Sequence, residues 1–459
     1  MDNIILQTDS YKVSHWKQYP PKTEYVYSYF ESRGSKYPQT LFFGLQYYLK
    51  KYLVGQVVTQ EKIDEAEKIF EAHFGDKSLF NRKGWEYVIS KHKGRLPIEI
   101  MAVAEGTLVD TKNVLFTVEN TDPKCFWLTS YLETLLEQVW YPTTVATKSF
   151  AMKLLLRVFL EKTGNDISDF KLHDFGYRGS TSQESAGLGG AAHLINFKGS
   201  DTIAAIVLLQ KYYHADMPAF SIPAAEHSTI TAWGKDSELF AYANMLEQFP
   251  KGLVAVVSDS YDIYNACKKL WGDELKDIVL QRTGVVVIRP DSGDPNVVLP
   301  KILKTLGEAF GNTVNEKGYK VLNPNIRLIQ GDGIDENTMV GVLQTLVGTG
   351  WSADNIAFGS GGGLLQNMNR DTMKFAYKCS NVTVGGKDRD VFKDPVTDKD
   401  KMSKKGRLGL AKTDAGWITL NSAQRKIPMF DEQLKLVYRN GELLIDQNFE
   451  QIRQQVSYD

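Results

Sequence analysis

The chain has 459 residues, of which 42% are hydrophobic and 24% charged, a balance that excludes a disordered chain and allows two structural units, each with its own core. Its 54 basic and 55 acidic residues leave a formal net charge of -1, so no whole-protein field gathers nucleic acid or an anionic membrane, and phosphate binding must come from local clusters. Cys125, Cys267 and Cys379 are far apart and odd in number, which argues against a disulfide framework or a CxxC metal site and fits a reducing compartment.

In chain order, the N-terminus comes first. Asp2 and Asp9 flank a short Ile4, Ile5, Leu6 run that lacks the basic start and long apolar stretch of a signal peptide. Elsewhere the longest apolar runs, such as Gly284 to Ile288, are too short to span a bilayer. A cytoplasmic protein is expected. Residues 1–150 mix β-rich pieces (Tyr25 to Phe30, Leu108 to Val118) with helices. From about residue 150 a different unit recurs: a short apolar run, a polar loop, then a helical pattern. Val254 to Val257 leads into Ser258, Asp259 and Ser260, and Val285 to Ile288 into Arg289, Pro290, Asp291, Ser292 and Gly293. Ile326 to Ile329 leads into Gln330, Gly331, Asp332 and Gly333, and Ile356 to Phe358 into Gly359 to Gly363. Four such units predict parallel α/β architecture over 151–375, as a barrel or an open sheet, with chemistry at the carboxyl ends of the strands. Residues 376–459 are charged and hairpin-like, and are expected to pack with 1–150 as a second domain. No internal sequence repeat or low-complexity linker is visible.

Several constellations fall at the predicted strand ends. Gly359 to Gly363 would offer backbone N–H groups to an anion, although a tight turn into a helix needs the same residues. No Lys-Ser or Lys-Thr follows, so it is not a P-loop, and Leu364 breaks the dinucleotide pattern. Asp259, Asp291 and Asp332 could hold ribose hydroxyls or a magnesium ion carrying pyrophosphate, or simply cap helices. Arg289 offers a fork for phosphate or a carbonyl oxygen, or a salt bridge to a neighbouring Asp. In Pro223 to Ser228 the carboxylate of Glu226 adjoins the imidazole of His227, which could accept a phosphoryl group or shuttle a proton, whereas most histidines are only packed or exposed. His173 to Arg178 combines a flat ring, a glycine and a guanidinium suited to stacking on an aromatic base, with core packing of Phe175 and Tyr177 as the alternative. The basic tract Lys393 to Arg407, including Lys401, Lys404 and Lys405, is either a solvated loop or an electrostatic collar for phosphates.

Taken together, the stretches from His173 to Gly179, Asn196 to Thr202, Pro223 to Lys235, Ser258 to Cys267, Gly331 to Gly333 and Phe358 to Gln366 resemble the nicotinamide-using members of the type II phosphoribosyltransferase family. The resemblance runs from Thr8, Asp9, Ser10, Tyr11, Lys12 to Lys404, Lys405, Gly406, Arg407. It implies an irregular TIM-like α/β barrel with a second, antiparallel-β-containing α+β domain, in a head-to-tail homodimer whose sites lie at the interface. The implied activity joins nicotinamide to phosphoribosyl pyrophosphate, making nicotinamide mononucleotide and pyrophosphate in NAD salvage, with Mg²⁺ and with ATP as a coupled co-substrate.

By the same resemblance, Phe175 and the partner's Tyr11 would sandwich the pyridine ring, with Arg178 and Arg289 near it, and Asp201 would accept a hydrogen bond from the carboxamide. Arg289, Asp291, Gly331, Asp332, Gly361 and Gly362 would bind the ribose and its 5′-phosphate. Arg33, Arg370, Lys378 and Lys393 would surround pyrophosphate and the ATP phosphates. His227 would be the phosphoacceptor, with Glu226 beside it, Asp259 orienting the imidazole and Asp291 completing the catalytic set. An ionised Asp201 would attract an amide N–H₂ and repel the carboxylate of nicotinate. Ala255 and Ala376 depart from the family pattern, standing where serines are expected, and the loop after Arg33 is shorter. The rival readings are a nicotinate phosphoribosyltransferase of the same fold, a non-catalytic nucleotide-binding or secreted signalling protein, and a type I phosphoribosyltransferase, whose paired acidic residues and Thr and Gly loop Ser258 to Asp262 does not supply.

Overall fold

The structure, a computed structural model, describes residues 3–165, 168–397 and 402–458; Asp2 and Lys401, invoked above, lie outside them. The chain divides into two units, one of Met1–Thr147, Leu209–Ala215 and Met368–Asp459, the other of Lys148–Leu208 and Asp216–Asn367. Two of the four boundaries, after Thr147 and after Leu208, fall inside helices, α1 (Trp140–Thr163) and α2 (Ile203–Tyr213).

The first unit begins with β1 (Thr23–Ser32), β2 (Ile98–Ala102) and β3 (Val114–Asn120). The main sheet of the second has six strands: β4 (Leu172–Asp174), β5 (Gly199–Ser200), β6 (Lys251–Val257), β7 (Thr283–Arg289), β8 (Ile326–Gln330) and β9 (Ile356–Ser360). The chain then returns to the first unit with β10 (Phe375–Val384), β11 (Lys387–Asp390), β12 (Lys435–Arg439) and β13 (Glu442–Leu443).

In the first unit the strands form a seven-stranded antiparallel sheet in the order β11-β10-β1-β3-β2-β12-β13. Strand β1 is rich in tyrosine, phenylalanine and β-branched valine, the residue types that pack well on a pleated surface, and it is buried along most of its length. Its Phe30 stacks between Phe116 of β3 and Phe375 of β10, with ring centroids 4.6 and 5.0 Å away. Such aromatic pairs across neighbouring strands fix the register in the middle of the sheet.

In the second unit the six strands are all parallel, in the order β5-β4-β9-β8-β7-β6. Helices intervene between successive strands, among them Gln183–His193, α3 (Pro295–Phe310) and α4 (Glu336–Gly348). One face of the sheet carries Val254, Val256, Val286, Ile288, Ile326, Leu328, Ile356 and Phe358, all essentially inaccessible. Ala255, Val287 and Ile329 form a cluster on the opposite face, joined by Phe175, Ile222, Val285 and Ala357. Burial of both faces is why these strands read as continuous apolar runs and not as alternating ones.

The sheet is curled. The segment from Phe220 to Ala225 bridges its two edge strands: Phe220 N–H donates to Lys198 O (2.8 Å) and its carbonyl accepts from Ser200 N–H (3.2 Å). Four residues on, Ala255 N–H donates to Pro223 O and Ala225 N–H to Ala255 O, both at 2.9 Å.

At the amino-terminal ends of β6 and β7, Gly252 and Gly284 lie side by side, and a Cβ on Gly284 would stand 2.0 Å from Gly252 O at a φ of +149°. Replacing Gly284 by Ala should therefore cost about 1–3 kcal/mol by overpacking. The expected readout is a fall of a few degrees in the unfolding midpoint of the unit.

Candidate active site

Six parallel strands end at one cavity of about 1300 Å³ in the second unit. Just past β4 comes Phe175, past β5 Asp201, past β7 Asp291, past β8 Gly331 and Asp332, and past β9 Gly361 and Gly362; all line the cavity. Arg289, at the end of β7, lines it as well, as do Tyr177, Arg178, Glu226 and His227. Asp259, past β6, reaches it through a hydrogen bond. This is the carboxyl-end location in which α/β folds collect their chemistry.

The glycines have separate reasons. A Cβ on Gly359 would lie 2.0 Å from the Phe175 ring and one on Gly331 3.3 Å from it, so two neighbouring strands leave space in which that ring lies. A Cβ on Gly363 would strike Ile334 O at 2.3 Å, whereas one on Gly362 would meet nothing. The cluster thus divides into packing glycines and the cavity-lining pair Gly361 and Gly362. That pair opens the short helix Gly362–Leu365, whose first amides have no preceding turn to bond to. Beneath it, the Lys148 ammonium donates to Gly363 O at 2.5 Å. Phe175 packs on the Ala255, Val287 and Ile329 cluster, the core role expected as its alternative, and also lines the cavity, while Tyr177 is exposed and not part of the core.

The strand-end aspartates do not cap helices, because a second aspartate three residues downstream does so each time. Asp262 accepts the N–H groups of Tyr264 and Asn265 (3.0 and 3.1 Å), Asp294 that of Asn296 (2.9 Å), and Asp335 those of Asn337 and Thr338 (both 2.9 Å). The spacing repeats as Asp259/Asp262, Asp291/Asp294 and Asp332/Asp335. Capping by the second aspartate leaves the first to the cavity.

Asp259 is nearly buried, its side chain 3% exposed. One oxygen meets His227 Nε2 at 3.0 Å and the other accepts the Asp291 backbone N–H at 3.0 Å. An ionised carboxylate only accepts, so with Asp259 ionised Nε2 carries a proton, and in the neutral imidazole the lone pair is on Nδ1. Glu226 hydrogen bonds to the Ser228 hydroxyl, two residues along the chain. Arg289 Nε lies 2.9 Å from Asp291 Oδ2, the neighbouring ion pair anticipated as its alternative role, yet both residues still line the cavity. Burial raises the Asp291 carboxyl above its ordinary value against the pull of Arg289, and the negative charge of Asp259 adds to the rise. Asp201 goes the other way: burial pushes it up, but the hydrogen bond and charge of His173, with Ser221 and Arg289, bring it below the ordinary carboxylate value. His173 and Ser221 are contributors that the sequence reading assigned no role. The signal for His173 was its place two residues before Phe175, on the same side of a strand.

The remaining candidates belong to the first unit. Tyr11 is 58% exposed. The Arg33 guanidinium lies 3.7 Å from Glu31, and Arg370 lies 3.5 Å from Glu137 and 3.4 Å from Asp371. Lys378 sits on β10 opposite Tyr29, and the Lys393 backbone exchanges hydrogen bonds with Ser403. Within the basic tract, Lys404 pairs with Glu31, and Arg407 grips Glu119 through two 2.6 Å bonds. Those two cations are held by structural ion pairs. Also in this unit, His92, Asp122 and Cys125 bring one possible metal-ligand atom each within 4.8 Å of one another, with Asp122 already bonded to His92, Tyr87 and the Lys124 amide.

Comparison with known proteins bears on the whole chain. Residues 170–442 match the nicotinate phosphoribosyltransferase (NAPRTase) family, and residues 3–100 match the N-terminal domain of nicotinamide phosphoribosyltransferase. A nicotinamide phosphoribosyltransferase of Xanthomonas campestris is 51% identical, the alignment covering 99% of this chain and 98% of that one. One of Acinetobacter baylyi is 33% identical over 99% of this chain and 97% of its own. The nicotinate-nucleotide pyrophosphorylase structure of Pyrococcus furiosus shares the fold at a TM-score of 0.62 and 14% identity, covering 99% and 95% of the two chains. The chain therefore belongs to the nicotinate phosphoribosyltransferase family and, within it, to the nicotinamide phosphoribosyltransferases, which are pentosyltransferases.

Proposed function

We propose that this enzyme joins nicotinamide to 5-phosphoribosyl 1-pyrophosphate, giving nicotinamide mononucleotide and pyrophosphate for NAD salvage. The observation that carries the reading is the meeting in one cavity of an aromatic wall (Phe175), a carboxylate held below its ordinary pKa (Asp201) and bare glycine backbone (Gly361 and Gly362). These suit a pyridine ring, a carboxamide N–H₂ and a phosphate respectively. The curled sheet serves as an irregular TIM-like barrel with the site at its carboxyl mouth.

In this mechanism the pyridine nitrogen attacks C1 of the ribose as the bond to pyrophosphate breaks, through a cation-like transition state. The nitrogen brings its own lone pair, so no base is needed. Phe175 and Arg178 hold the ring, Asp201 takes the carboxamide N–H, and Arg289, Asp291, Asp332 and Gly331 hold the sugar. Mg²⁺ fits here, because the buried Oδ1 of Asp291 has no hydrogen-bond partner among the described residues and Asp332 is exposed to the cavity. The chemistry a bound Mg²⁺ supplies is neutralisation of charge on the leaving pyrophosphate. ATP is the coupled co-substrate: His227 Nδ1 attacks its terminal phosphorus, ADP leaves, and Asp259 steadies the imidazole through Nε2. Glu226 and Ser228 border the same space.

Tyr11, Arg33, Arg370, Lys378 and Lys393 serve a homodimer whose sites are shared, part of the pyrophosphate and ATP contacts coming from the second subunit. The three free thiols fit a reducing compartment, and we place the enzyme in the cytoplasm; no helix among the described residues is long and apolar enough to cross a membrane.

Three experiments test these assignments. With phosphoribosyl pyrophosphate, Mg²⁺ and the two bases in competition, the native enzyme should choose nicotinamide, and Asp201→Asn should lower that preference at least about tenfold. Because its carboxyl sits below the ordinary value, the native preference should hold through neutral pH and decline only as pH falls through the depressed pKa. An unchanged ratio in the Asn variant would remove Asp201 from base selection. In His227→Ala, synthesis should fall and no longer respond to ATP, and retained ATP stimulation would refute the phosphoacceptor. Finally, mixing inactive Arg33→Ala with an inactive cavity variant, refolded together, should regain activity if sites are shared, and no regain would favour sites built within one subunit.

A further inference from the structure

Asp201 does not stand alone at the cavity wall. One of its oxygens, Oδ1, meets His173 Nε2 at 2.9 Å and also accepts the Ser221 hydroxyl. Neither His173 nor Ser221 lines the cavity, so both reach it through the Asp201 carboxylate. The His173 side chain is only 14% exposed, and its place is set on two sides. A Cβ on Gly199 would stand 2.5 Å from His173 Nδ1, so the ring rests against bare backbone of β5, and its centroid lies 5.2 Å from that of Phe175. The backbone under Asp201 is fixed as well. Its N–H donates to Asp174 O at 3.0 Å, and the Ser200 hydroxyl, which accepts the Thr202 N–H, donates to the Asp174 carboxylate.

With Oδ1 engaged twice, the second oxygen of Asp201 is the one available to a ligand. From this geometry we infer that His173, aided by Ser221, is a specificity-determining positioning residue: it reserves and aims Oδ2 of Asp201 for a hydrogen-bond donor on the base. The inference rests on the reading of Asp201 as the carboxamide acceptor. His173 also ties that acceptor to the aromatic wall, since the same imidazole contacts Phe175, so the distance between stacking surface and acceptor is set by one side chain. Without the His173 N–H, a carboxylate in this partly buried place is harder to keep charged and free to turn. The amide then loses an acceptor and the acid loses a repulsion, so the two bases move in opposite directions.

The test measures kcat/KM for nicotinamide and for nicotinate in the full-length enzyme carrying His173→Leu, His173→Gln, Ser221→Ala or Asp201→Asn. The Leu variant should lose about tenfold or more of the nicotinamide-to-nicotinate ratio. The change should appear mainly in KM for nicotinamide, with kcat at saturating base little altered. Gln, which keeps an N–H donor, should restore most of the ratio, and Ser221→Ala should lower it by a smaller factor. A merely structural role would depress both bases together and leave the ratio alone. If Asp201→Asn collapses the ratio while His173→Leu and Ser221→Ala keep it, the inference is overturned and the reading of Asp201 survives. If Asp201→Asn itself leaves the ratio unchanged, both fall. Should the Leu variant not fold, Ser221→Ala, on an exposed residue, decides the matter alone.

Discussion

The Asp259 carboxylate is the tie on which the rest of the cavity depends. It is nearly excluded from solvent, and a carboxylate so placed is tolerable only if both oxygens find donors. Here one donor is the His227 imidazole and the other the amide of Asp291, which belong to different loops. Satisfying one buried carboxylate therefore fixes the segment that carries His227 against the loop that carries Asp291. Asp291, two residues beyond Arg289, is thereby oriented toward the cavity with one oxygen left without a donor.

Much of this arrangement was legible in the sequence because its signals are local. Apolar runs ending in Asp, Gly or Ser are a property of neighbouring residues, and β6 to β9 lie where those runs are. The strand-end aspartates were ambiguous for an equally local reason, since an aspartate before a helix is a good cap. What resolves them is the second aspartate three positions on, a spacing present in the sequence but informative only once the helix starts are known. Other features could not be read from spacing. That Phe220 to Ala225 bridges the edge strands depends on long-range hydrogen bonds, and that Leu209–Ala215 belongs with the first unit depends on which surface the end of α2 buries. The role of Gly359 was hidden too, because a glycine that makes room for a ring and a glycine that greets a phosphate look the same in one dimension.

Similarity over nearly the whole chain assigns the family, including the first hundred residues, where Tyr11 and Arg33 were singled out by resemblance alone. It does not say why an aspartate should be ionised or a glycine bare. Those reasons come from hydrogen bonds and Cβ distances.

The division of labour between paired aspartates has a broader consequence. Where one residue both starts a helix and does chemistry, a change of chemistry also loosens the scaffold. Here the helix starts are secured by Asp262, Asp294 and Asp335, so Asp291 and Asp332, which line the cavity, are released from capping, while Asp259 keeps a structural task of its own between His227 and the Asp291 amide. Such a fold is well suited to evolutionary drift in its reaction: the two cavity-lining aspartates can be exchanged while the helices that follow them keep their caps.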